Sequence, residues 1–136
     1  MQRLFKWLAY FQEEMASLKE ELLEQMLACA HEHAKIGSEL NYTLQILNGA
    51  RRTAQQERID ISQQRITFIE QLAYENAATY NMQMAEIYAS QGKSGQAVDS
   101  FKKTVSILEN ILDGNRKSEI MNKASRIQEI YNLQLP

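Results

Sequence analysis

Proline is almost missing from this chain: the only one among 136 residues is the terminal Pro136. Glycine is scarce too, with five copies, so there are few places where a helix has to stop. β-Branched residues never alternate with polar ones for long enough to make a strand. These absences leave an all-α fold, an antiparallel bundle of helices and helical hairpins. One cysteine, Cys29, excludes an internal disulfide and fits a reducing compartment. No stretch reaches the roughly 18 apolar residues of a membrane span. The opening run Met1 to Phe11 has neither the apolar length nor the cleavage site of a secretion signal, so cytoplasmic residence is expected. Charge of one sign is lacking as well: 15 basic against 17 acidic side chains give no pull toward nucleic acid. At this length the chain, 1–136, makes one helical domain that buries about two thirds of its unfolded surface.

What is present is helical periodicity. From about Arg3 to Ile36, the residues Leu4, Leu8, Phe11, Met15, Leu18, Leu22 and Cys29 recur at four and three, with Gln25 as the one interruption. Glu13, Glu14, Lys19, Glu20 and Glu21 fall largely on the other faces. This amphipathic helix over 1–37 is coiled-coil-prone: its stripe packs either on its own domain or on another chain. Gly37 then reads as the helix stop and Ser38 as the next N-cap. The aromatics Phe5, Trp7, Tyr10 and Phe11 beside Arg3 and Lys6 would suit a membrane interface. The following glutamates would be repelled by anionic lipid, so the rings read better as packing anchors. Trp7 and Phe11 are the candidates for partner contact.

The segment 38–61 is polar and offers breaks only at Asn48-Gly49 and Asp60-Ile61-Ser62. A four-three row runs through it from Leu40 to Leu72, interrupted by Arg51, Arg58 and Arg65. A buried row cannot hold three guanidinium groups without paired carboxylates. Solvated helix is the simplest reading; a bend, or a face awaiting an acidic partner, are the others.

From Ser62 an apolar face returns through Ile66, Ile69, Ala73, Ala77, Tyr80, Met84 and Ile87, up to a turn at Gln91-Gly92. Ser94 is the expected N-cap of the next helix, with Ala97, Phe101, Thr104 or Val105, Leu108 and Ile111 or Leu112 inward. Asp113-Gly114-Asn115 marks a second turn, with Gly114 expected in the left-handed cap conformation. The last helix, about Arg116 to Leu133, turns Ile120, Ala124, Ile127 and Tyr131 inward and closes the preceding hairpin.

Within this part, Met84, Ala85, Tyr88, Gly92, Ala97 and Phe101 supply large, small, large, turn, small and aromatic side chains in order. The stretch, about 78–111, resembles a single tetratricopeptide repeat, with Asn81, Thr104 and Glu109 departing from the usual pattern. The resemblance implies that Ala85 and Ala97 let two helices approach closely, while Tyr88 and Phe101 fill the gap to the next element. It implies further a protein-binding groove between the Ser62–Ser90 and Ser94–Leu112 helices, with Asn81, Gln83, Glu86 and Lys93 as candidate lining.

Catalytic patterns fail on inspection. Gly92-Lys93-Ser94 ends like a phosphate-binding loop, but Ile87 occupies the position of its first glycine and no strand precedes it. Cys29 and His33 share a helix face while His31 points away, and nothing completes a metal coordination sphere. Asn41-Tyr42-Thr43 is a glycosylation sequon without a secretory context. Ala30 to Gly37 vaguely resembles a histidine phosphotransfer site, with lysine and glycine at the wrong offsets. No cofactor and no metal is expected. The sequence therefore reads as a non-enzymatic interaction module, an adaptor or small chaperone; tetratricopeptide-type chaperones of bacterial secretion systems resemble it in size and mild acidity. The alternative is a self-assembling coiled-coil component, with the first helix pairing between copies.

Overall fold

A computed structural model describes residues 2–134; Met1, Leu135 and Pro136 lie outside it. Five α-helices follow one another: α1 Gln2–Ala34, α2 Leu40–Glu57, α3 Gln63–Ser90, α4 Ser94–Leu108 and α5 Gly114–Ile130, with a 3-10 turn Gly37–Glu39 between the first two. Among the described residues there is no strand, and no helix is long and apolar enough to cross a membrane. Helices α1 and α2 form an antiparallel hairpin, clipped by Lys19 Nζ to Glu57 Oε2 at 2.6 Å. Helix α3 runs parallel to α1, so that Glu24 meets Arg65 and Ala34 O accepts from Asn76 Nδ2 at 3.0 Å. Helix α4 returns antiparallel along α3, and α5 packs on both.

Two cores result, one at each end of α3. The first joins Leu23, Leu27, Ala30 and Ala34 of α1 to Leu47, Ala50 and Ala54 of α2 and Ile66, Ile69 and Ala73 of α3. The second joins Ala78, Met82 and Ala85 of α3 to Phe101, Leu108, Ile111, Ile120, Ala124 and Ile127. Small residues recur wherever α3 is crossed, which lets backbones approach closely. Thr43 and Thr104, both fully buried, satisfy their hydroxyls by donating four residues back, Thr43 to Glu39 O at the head of α2 and Thr104 to Ser100 O within α4. Burial and the nearby Glu70 carboxylate hold the Tyr74 phenol above its ordinary pKa.

Local signals set most helix ends. Gly92, at φ +76°, ends α3: Gly92 N–H bonds to Ala89 O and Lys93 N–H to Tyr88 O, the double closure that favours glycine. Ser62 Oγ caps α3 by accepting from Arg65 N–H at 3.2 Å. The chain is therefore broken at 58–62, at the Asp60-Ile61-Ser62 signal, whereas Asn48-Gly49 lies inside α2. The arginine row is only partly solvated. Arg51 is half-buried and paired with Glu70, Arg65 is paired with Glu24, and Arg58 sits exposed at the bend.

Several expectations need correction. Ser38 belongs to the 3-10 turn, and α2 starts behind Glu39 with no side-chain cap. Ser94 is the first residue of α4 rather than its cap. Gly114 is not left-handed; it opens α5, capped by Asp113, whose Oδ1 accepts from the N–H groups of Asn115 and Arg116. Tyr80 and Ile87 are exposed because the buried face of α3 shifts to Ala78, Met82 and Ala85 where α4 and α5 replace α1 and α2.

The end of α2 yields a stability prediction. Arg58 holds a left-handed conformation, φ 54°, which costs a non-glycine residue about 1 kcal/mol. Its side chain is exposed. Arg58→Gly is therefore expected to raise stability by about 0.5–1 kcal/mol, read as a higher urea midpoint with unchanged slope.

Candidate interaction surface

Helix α1 has 33 residues and is about 50 Å long, yet only its second half, from Lys19 on, is held by the body of the protein. Residues 2–18 are exposed without exception. The four-three stripe stays uncovered along this length: Leu4, Leu8, Phe11, Met15, Leu18 and Leu22 are all exposed, Leu22 by 50%. Its neighbour Leu23 is 2% exposed and leads a second row, Leu27, Ala30 and Ala34, which is the one that meets α2 and α3. One residue is about 100° of helix, so the body and the stripe occupy adjoining faces and do not compete. Cys29, expected in the core as a member of the stripe, is exposed with it.

Trp7 and Phe11 stand on this free length, both exposed, their rings stacked with centroids 5.5 Å apart and an interplanar angle of 13°. Beside them, Phe11, Met15 and Lys19 face Glu57 and Ile59 across a shallow groove of about 370 Å³. The free length has little of its own to keep it helical. Its first turn carries no acidic residue, while Arg3 and Lys6 stand at the positive end of the helix dipole. A solitary helix of this size is marginal in water, and most helical stability comes from packing an apolar face. An exposed apolar patch of this extent is uncommon on a protein surface.

The other candidate residues do not share a face. Asn81 is half-buried and donates from Nδ2 to Ala77 O at 2.8 Å, within its own helix. Gln83 lies two residues on, roughly 200° round α3, and it and Glu86 are exposed. Lys93 is exposed in the turn before α4. Of the repeat-like residues, Ala85, Ala97 and Phe101 are buried between α3 and α4, Met84 and Tyr88 are half-buried, and Gly92 makes the turn.

The two histidines are engaged locally. His33 Nδ1 meets the Glu39 carboxylate and its ring abuts Tyr42 edge-on; the His31 ring abuts Phe68. Among the described residues no group of three or more His, Cys, Asp or Glu side chains converges. The true inner face of α1 is present in the sequence as Leu23, Leu27, Ala30 and Ala34, but that row is shorter and less bulky than the one from Leu4 to Leu22. Comparison with protein families, curated proteins and solved structures finds no match for this chain.

Proposed function

We propose that this protein works by holding another protein, with the free length of α1 as the contact element, and that it performs no chemistry of its own. The observation that carries this reading is the uncovered heptad stripe Leu4–Leu22, flanked by the stacked pair Trp7 and Phe11. Knob-in-hole packing of a second helix on such a stripe is the mode of recognition its spacing fits. Aromatic anchors in the middle of a contact dominate its energy, which gives Trp7 and Phe11 the leading role. An adaptor or small chaperone is the matching role. A reducing, cytoplasmic setting suits the exposed Cys29 thiol.

The double substitution Leu18→Asp, Leu22→Asp tests this reading. Both side chains are about half exposed and lie off the core face. Melted at high dilution, where association adds nothing to either chain, the variant is expected to match the parent within about 0.5 kcal/mol, while losing association of every kind by light scattering and affinity capture at higher concentration. If association persists at parental strength in a folded variant, the stripe is not the contact element. Loss of the cooperative melt would instead place these residues in the core and defeat the assignment equally.

A further inference from the structure

We infer that the occupant of the α1 stripe is the stripe of a second copy of this chain, lying antiparallel, with Leu4 beside the partner's Leu22. This rests on the reading of α1 as the contact element and goes on to name what it contacts. Three features of the helix point to it.

The first is the spacing. From Leu4 to Leu22 the steps are four, three, four, three, four, a palindrome. Turning one helix end for end therefore superposes the stripe on itself. Leu8 then shares a layer with the partner's Leu18, and Phe11 with the partner's Met15. The palindrome ends at Leu22, just before Gln25 interrupts the row.

The second is the charge. Arg3 and Lys6 occupy the first third of the helix, whereas Glu13, Glu14, Glu20, Glu21 and Glu24 follow, relieved only by Lys19. Of these, Arg3, Glu14 and Glu21 flank the stripe on one side, whereas Lys6, Glu13, Glu20 and Glu24 lie on the far face. Parallel pairing in register lays the basic ends together and sets Glu14 against the partner's Lys19. Antiparallel pairing brings Arg3 of each copy close to level with Glu21 of the other and opposes the two helix dipoles. Lys19 already bonds Glu57 in its own chain, so it is less free to relieve a parallel pair.

The third is the area. Leu4, Trp7, Leu8, Phe11, Met15, Leu18 and Leu22 leave roughly 600–700 Å² per copy in water, so a pair would cover about 1,300 Å², within the span of specific interfaces. The body of each chain packs on the adjoining face of α1, so it does not obstruct the stripe. One contact opposes the arrangement: Glu14 of each copy meets its counterpart at the centre, in solvent, where the repulsion is weak.

The whole chain is used for the test, with Cys29→Ser removing the native exposed thiol. Light scattering at about 100 µM is expected to give twice the 15.7 kDa chain mass, as befits an interface of this modest area. Leu4→Cys and Leu22→Cys chains are then mixed and treated with a short thiol–thiol linker. The mixture is expected to cross-link while Leu4→Cys alone does not, because the two copies of residue 4 stand about 27 Å apart along the axis. Glu14→Gln is expected to tighten the dimer about twofold. Cross-linking of Leu4→Cys by itself, or a weaker dimer on Glu14→Gln, would mean parallel pairing, in which Glu14 faces the partner's Lys19; that overturns the orientation and keeps α1 as the contact. A monomer at this concentration overturns self-pairing altogether. The Asp pair at Leu18 and Leu22, tested against a captured foreign partner, then decides separately whether α1 binds anything.

Discussion

Replacing Gly37 by alanine is expected to destabilise the protein by about 3 kcal/mol and to lower its melting temperature by roughly 10 °C. The turn after α1 lies directly against the middle of α3. A Cβ at Gly37 would stand 2.5 Å from the backbone oxygen of Asn76 and collide with the Cβ of Tyr80. Neither atom is the far end of a flexible side chain, so relief requires the turn to lift away from α3. That lift would also strain the bond from Asn76 Nδ2 to Ala34 O, which closes the end of α1. The glycine is needed here for close approach; a left-handed backbone is found at Gly92 instead. Thermal melts of Gly37→Ala beside Gly95→Ala make the check, since Gly95 meets nothing within 4 Å. Equal melting temperatures for the two variants would show that the turn is not pinned against α3.

Phe101→Ala is expected to cost about 3–5 kcal/mol, the range for removing a buried aromatic. Phe101 is 3% exposed and sits in the core shared by α3, α4 and α5. The same core holds Ala78, Ala85 and Ala124, whose short side chains have no length with which to fill a space. Set against a typical total of about 5–15 kcal/mol, this brings the domain close to unfolding at physiological temperature. Trp7→Ala, which removes a larger ring from an exposed site, is expected to shift stability by no more than about 0.5 kcal/mol. Urea titrations of the two variants give opposite rankings for size and for burial. A Trp7 variant as unstable as the Phe101 variant would mean that the first helix is packed on its own body.

That contrast shows what could be read from the residues alone. The all-helical class, the turns at Gly37 and Gly92 and most of the inward rows of α4 and α5 are legible, because caps, turns and a one-sided apolar row are local properties of the chain. The break at Asp60-Ile61-Ser62 is one of two candidates in the sequence and is decided by the fold. Two further things are not legible. The first is which of two rows on α1 is the inner one. Leu22 heads the longer and bulkier row and Leu23 the buried one, and only the packing of α2 and α3 against Ala30 and Ala34 separates them. The second is the change of face along α3. A helix clasped by one pair of neighbours at its start and another at its end buries Ile66, Ile69 and Ala73 first and then Ala78, Met82 and Ala85. No single helical period describes both halves, so Tyr80 and Ile87 look buried in sequence and are exposed in the fold. The sequence by itself determined that the chain is helical and roughly where it turns, since turns are made by residues within a few positions of one another, although the starts of α2, α4 and α5 differ from the local reading. Which faces are covered, and hence that the strongest apolar stripe is left open, was decided only by tertiary packing, since burial depends on neighbours that are distant in sequence.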